Sequence, residues 1–176
     1  MKITNQRGFA LIDLVFVCGL MGVLTSIAMP RMLQARQTAG AASAIGALRA
    51  INSGQLSYAF TCGSGFYAPS LSVLGKPPVG SREAFVPPQL GLADTVNQSG
   101  YKIQLEGTAF AGAPATCNGL GVGEAAQGFK AGADPLEQPN KRYFATNAMI
   151  SIYEDEGSLW AGFPENGEPL AGHTLQ

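Results

Sequence analysis

The chain has 176 residues and a net charge of -1, which leaves room for one domain beside a membrane segment. Charged residues make up 13%, against about 25% in typical soluble domains, and 23 glycines favour a compact, loop-rich head over a large regular core. Residues 1–60 carry five Lys or Arg and one Asp while residues 61–176 carry six and eleven, so the acidic second part argues against gripping nucleic acid through its overall field.

A short leader with Lys2 and Arg7 runs into the apolar stretch Phe9–Met29, 21 residues in which Asp13 is the only charge and Thr25 and Ser26 the only hydroxyls. As a helix at about 1.5 Å per residue it spans roughly 30 Å, the thickness of the bilayer core. A secretory signal has a shorter apolar core and a small-residue cleavage site after it, so neither its length nor its acid suits that role. A carboxylate inside hydrocarbon is costly without a cationic partner, and Asp13 therefore reads as functional. Arg31 and Arg36 follow the run and tie the positive-inside count. The short leader is placed in the cytoplasm and the long polar chain after Pro30 outside.

The helical pattern continues past Pro30 to about Ala59. Ala35, Ala39, Ala42, Ile45, Leu48, Ile51 or Asn52, Leu56 and Ala59 form the predicted apolar face, opposite Arg36, Gln37, Ser43, Arg49 and Gln55. Gly19, Gly22, Pro30, Gly40, Gly46 and Gly54 each weaken a helix, and a kink or local opening is expected between Gly22 and Pro30. Cys18 inside the apolar run reads as a small hydrophobe. Cys62 and Cys117 both fall in the exported, oxidising part and are expected to be bonded. No Cys-x-x-Cys pair is present, so the usual redox, zinc and haem signatures are missing.

Cys62-Gly63-Ser64-Gly65 breaks the helix, and residues 63–100, rich in Gly, Pro and Ser, read as a connecting region with little regular structure. Tyr101–Glu106 alternates apolar and polar side chains, a half-buried strand. Arg142–Thr146 and Met149–Tyr153 read as two more strands joined around Asn147-Ala148. Glu154–Gly157 reads as a turn, Ser158–Ala161 as a short edge strand, and the tail from Pro164 as poorly ordered. Gly119-Leu120-Gly121-Val122-Gly123 lacks both a preceding strand and a following Lys-Ser or Lys-Thr, so it reads as a surface loop and not a phosphate cradle. His173 is the only histidine and has no nucleophile or acid to join, and no enzyme is expected.

The apolar helix with its early acid, the amphipathic continuation and the small antiparallel sheet resemble the type IV pilin and type II secretion pseudopilin superfamily. Gly8-Phe9 is similar to the prepilin peptidase cleavage site, Ala10-Leu11-Ile12-Asp13 continues that motif, and Gly22 and Pro30 stand where the family has its helix-softening residues. The match is strongest over residues 1 to about 35. Two features depart from the family: its acid is usually the longer glutamate, and many pilins have their disulfide wholly in the carboxy-terminal half.

The resemblance implies an α+β fold, a long stem helix on a small antiparallel sheet. Its parts are a leader (1–8), a membrane-spanning half-stem (9–30), an amphipathic half-stem (31–60) and a head (61–176). It further implies cleavage between Gly8 and Phe9, N-methylation of Phe9, and assembly through Asp13, Gly22 and Pro30, with Asp13 pairing to a neighbour's amino terminus. The implied partners are other pilin-like subunits, the prepilin peptidase, the inner-membrane assembly platform and membrane lipid. The subunit would sit in the inner membrane with its head in the periplasm, then in a surface pilus or, as the alternative, a secretion pseudopilus. A membrane-anchored periplasmic binding protein that never polymerises is the remaining alternative. No cofactor is expected; calcium, which some pseudopilins bind in their heads, would have to use Asp134, Glu137, Glu154, Asp155 and Glu156, whose spacing does not resemble a dedicated calcium loop.

Overall fold

The structure is a computed structural model that describes residues 7–137 and 140–175, with side chains from Leu11 onward. Most of the leader and the tip of the loop before Asn140 therefore lie outside the described residues. The elements are α1 (Arg7–Thr61), α2 (Leu71–Leu74), β1 (Thr95–Gln98), β2 (Tyr101–Glu106), β3 (Lys130–Pro135), β4 (Tyr143–Asn147), β5 (Ile152–Asp155), a 3-10 turn (Trp160–Gly162) and β6 (His173–Thr174). This is an α+β fold with one long amino-terminal helix and one six-stranded sheet. Residues 1–38 and 39–176 form two compact units.

Within the first unit, α1 is helical without a break through Gly22 and Pro30. The expected local opening is not there. Pro30 removes one N–H donor, while Thr25 Oγ1 donates to the carbonyls of Met21 and Gly22 at 3.0 Å each and Ser26 Oγ to that of Val23 at 2.9 Å. These hydroxyls are thus satisfied on their own helix, as a polar group surrounded by apolar side chains requires.

In the second unit the sheet is an antiparallel meander in the order β1-β2-β3-β4-β5-β6. Alternation along the strands sorts two faces. Tyr101, Ile103, Leu105, Ala131, Ala133, Phe144 and Ile152 join the core with Ala41, Ala44, Leu48, Ile51 and Tyr58 of α1. Ala145 and Tyr153 face the other way, under Leu159 and Phe163. The helix comes close at Gly40, where a Cβ would stand 2.7 Å from the carbonyl oxygen of Ser99, so only glycine fits.

The buried face of α1 is rotated from the predicted one. Ala35, Ala39 and Ala42 are exposed, whereas Ala41, Ala44, Tyr58 and Gln55 are buried. Alanine is so frequent in this stretch that hydrophobic period alone does not fix the phase. Gln55 is 0% exposed because its carboxamide meets the backbone of Ala68 on both sides, Nε2 donating to the carbonyl at 2.8 Å and Oε1 accepting from the N–H at 2.9 Å. A buried amide paired in this way escapes the desolvation penalty that would otherwise turn it outward.

Further differences concern the head. The 63–100 region contributes α2 and β1, and Leu71, Val73, Leu74, Val86 and Leu90 all enter the core. β3, absent from the sequence reading, is Lys-Ala-Gly-Ala-Asp-Pro, with no branched or aromatic residue. It forms because small residues suit a strand covered on both faces: Ala131 and Ala133 lie under α1, and at Gly132 a Cβ would stand 2.9 Å from the Trp160 ring. The strand predicted at 149–153 starts at Ile152, because Asn147–Ile150 is a turn closed by the Ile150 N–H on the Asn147 carbonyl at 2.8 Å. Glu154 and Asp155 belong to β5 and not to a turn, and Trp160–Gly162 is a 3-10 turn instead of an edge strand. The carboxy-terminal tail is held: buried Asn147 donates Nδ2 to the carbonyls of Pro164 at 3.0 Å and Gly167 at 2.8 Å, and β6 pairs with β5.

Candidate functional site

The first part of α1 is a continuous exposed apolar surface. Every residue from Leu11 to Arg36 is exposed in the single chain, including Ile12 at 71% and Met29 at 73%. This stretch is long and apolar enough to cross a membrane. An apolar helix with no protein around it has two ways to leave water, a bilayer or other helices.

Asp13 is exposed near the start of this stretch, and Cys18 is a free, exposed thiol. Gly8 and Phe9 lie in the first turns of α1 as backbone, and their side chains fall outside the described residues. Gly22 has nothing within 4 Å of where a Cβ would stand, leaving the helix surface open there. The chain does not gather Asp13, Gly22 and Pro30 on one face. At roughly 100° per residue Gly22 points about 180° from Asp13, and Pro30 roughly 80° further on. The three spread over about half of the helix circumference, more than one neighbouring helix covers.

Within the second unit, the exposed side of α1 carries Ala39, Ala42, Gly46, Arg49, Ser53 and Ser57. Spacings of three and four residues put these side chains in a band on the solvent side, and all but Arg49 are small enough for another backbone to come close. No Asp or Glu occurs between residues 14 and 82, so Arg49 has no acid within this part of the helix to pair with.

Cys62 and Cys117 form a disulfide, Cα to Cα 4.9 Å, joining the end of α1 to the 107–128 loop region. The loop beside it is ordered by side chains. Thr116 Oγ1 donates to Asn118 Oδ1 at 2.8 Å, and Asn118 Nδ2 donates to the Val73 carbonyl at 2.9 Å. Tyr58 packs under this region, and its burial pushes the phenol above its ordinary pKa, against a smaller opposing effect from Thr116. The Gly119–Gly123 loop turns back on itself, Gly121 N–H reaching Glu124 Oε2 at 2.7 Å.

The five acids named for calcium do not converge. Glu154 is engaged by Arg142 in a two-point ion pair, 2.5 Å from Nε and 3.0 Å from Nη2, with the guanidinium also over the Phe144 ring at 5.3 Å. The guanidinium's hydrogen bond holds the Glu154 carboxyl below the usual carboxylate range. Asp134 accepts from Ser158 Oγ at 2.8 Å, and Asp155 accepts from the Glu156 N–H. Among the described residues no group of three or more His, Cys, Asp or Glu is placed to hold a metal. His173 is exposed in β6, opposite Glu154.

Three features escaped the sequence reading. Arg49 edges a groove of about 430 Å³ that Leu56, Ile150 and Leu175 also line. Ile150 has φ 65°, a left-handed conformation unfavourable for a β-branched residue. Asn52, buried beneath it, donates to the Ile150 carbonyl at 3.1 Å and exchanges hydrogen bonds with Thr146 Oγ1. Only the pairing of Asn52 with a turn nearly a hundred residues away reveals the site, and nothing local signals it. No protein-family model, no curated protein and no solved structure matches this chain.

Proposed function

We propose that this chain is the structural subunit of a filament, anchored in a membrane by the first part of α1 and assembled through that same helix. The observation that carries the reading is the fully exposed apolar stretch that starts at Leu11 and runs to Met29, interrupted by a single acid at Asp13. An anchor alone needs no carboxylate there, whereas helices packed side by side in low dielectric can offer it a cation. Cleavage between Gly8 and Phe9, as the resemblance to prepilins implies, would free an ammonium at Phe9 on each neighbouring copy. The small exposed band through Ala39, Ala42 and Gly46 supports close helix packing beyond the membrane stretch. The disulfide and the six-stranded sheet make the head a stable outer surface.

Mass spectrometry of the membrane-embedded and filament forms tests this. The expected amino terminus is Phe9 carrying a methyl group; an intact Met1 in cells with an active prepilin peptidase would overturn it. Asp13→Ala is expected to insert normally and to be missing from filaments. Equal incorporation of the variant would remove the assembly role of the acid. Shearing cells separates a surface fibre, which is released, from a periplasmic one, which is retained.

A further inference from the structure

We infer that the head carries a head-to-tail contact between copies, in which Leu170 and Glu168 of one copy seat in the groove beside Arg49 of the next. This rests on the filament reading and specifies which surfaces of the head would meet.

The projecting side is the loop after Pro164. Gly167 and Gly172 turn the chain with φ of 86° and 89°, and Asn147, fully buried, pins the near end through the carbonyls of Pro164 and Gly167. At Gly172 a Cβ would touch Tyr153 Cβ at 3.4 Å, which fixes the far end against β5. Between these anchors Leu170 is fully exposed, and Glu168, two residues away, is exposed and free of ion pairs among the described residues. One exposed leucine is ordinary on a protein surface. A leucine held in water by a pinned loop, next to a free acid, has already met the ordering cost of binding.

The receiving side is the groove of about 430 Å³ at the other face of the sheet. Leu56, Ile150 and Leu175 give it apolar walls, and Arg49 and Ser53 give it a polar rim. Arg49 has no ion pair among the described residues, and no Asp or Glu stands between residues 14 and 82 of the chain. The left-handed Ile150, fixed by Asn52, shapes one wall; such strain persists only where the surroundings over-determine it. Charge complementarity selects the occupant. Residues 39–176 hold seven Lys or Arg against eleven Asp or Glu, so copies of the head repel unless a free cation of one meets an acid of the other.

The two surfaces differ and lie on opposite faces of the sheet. Ile152 enters the core under α1 and its neighbour Tyr153 enters the cluster on the other side, and groove and loop follow that division. A contact between unlike surfaces does not close as a twofold dimer and can repeat from copy to copy.

Cross-linking in cells expressing the full chain tests this. With Cys18→Ala as background, Ser53→Cys at the groove and Ala171→Cys beside Leu170 are combined and treated with a short bismaleimide. A ladder of dimers, trimers and longer species is expected, and neither single-cysteine chain should give one. Arg49→Glu or Glu168→Arg, added alone, should lower the ladder at least fivefold, and the two together should restore it to within about twofold. No ladder, a product that stops at dimers, insensitivity to a single reversal, or failure of the exchange to restore would each overturn the contact. Electron microscopy of the same cells separates the two ideas: filaments without a ladder overturn the contact alone, and a ladder without filaments supports the contact and overturns the filament reading.

Discussion

Asn147→Ala removes a side chain that makes three hydrogen bonds from a position with no solvent access: Nδ2 to the carbonyls of Pro164 and Gly167, and Oδ1 from the Met149 N–H at 3.0 Å. A buried group left without a partner costs about 1–3 kcal/mol. The carbonyls can regain water once the loop lifts, which caps the loss, so about 2–4 kcal/mol is expected and not the full sum of three such penalties. With a slope of about 2 kcal/mol per M, the urea midpoint falls by roughly 1–2 M. Asn147→Asp sharpens the test. It keeps the acceptor for Met149 but loses both donations and turns a negative oxygen toward two carbonyls, so it should be at least as damaging as alanine. Fluorescence of Trp160, the single tryptophan, follows unfolding of the full chain in detergent from a position four residues before Pro164. A midpoint shift under about 0.5 M for alanine, which is about 1 kcal/mol at the same slope, would mean that Asn147 does not pin the loop. So would an aspartate variant more stable than the alanine one.

Opening the Cys62–Cys117 bridge by a Cys62→Ser, Cys117→Ser double change should cost about 4 kcal/mol by chain entropy for its separation of 55 residues, read as a lower urea midpoint that reductant produces in the parent but not in the variant. Gln55→Leu keeps the volume but strands both backbone groups of Ala68, and a loss of about 2–4 kcal/mol is expected in the same assay; neutrality would mean that water reaches Ala68. Glu154→Gln should cost on the order of 1 kcal/mol at pH 7, since the pair is two-pointed but partly exposed. The folded-state pKa of Glu154 is depressed, so its stabilisation is complete above the unfolded value of about 4.3 and fades as pH falls through the lower folded value. Thermal melts of parent and variant should therefore converge as the pH is lowered past that depressed value; a gap that stays constant down the acid range would assign the effect to packing instead of charge.

Much of the fold was legible where one local rule governs. Phe9–Met29 has a single solution because 21 residues with one charge can only be a long apolar helix, and β2 runs over Tyr101–Glu106 as its alternation requires. The pairing of Cys62 with Cys117 follows once Cys18 is assigned to the apolar run. Asp13 was visible as the one charge in an apolar run and Gly22 and Pro30 as helix-weakening residues, while an assembly role for the three comes only from the resemblance to prepilins. Their spread over about half of the circumference follows from a helix that runs through Pro30 without a break.

The apolar helix, its one acid and the acidic charge of the head follow from composition and period, which act over tens of residues and need no partner. Which side of α1 faces the sheet is a matter of long-range packing, since alanines all round the helix give no phase and the choice falls to the fit of Gly40 against Ser99 and of Gln55 against Ala68. The same holds for β3, whose alanines and glycine have no strand preference of their own and are selected by the space between α1 and Trp160. The pinned loop bearing Leu170 and the groove beside Arg49 depend on Asn147 and Asn52, polar residues buried by partners far along the chain. Long-range hydrogen bonds of that kind leave no periodic trace, and so the surfaces they shape appear only in the folded molecule.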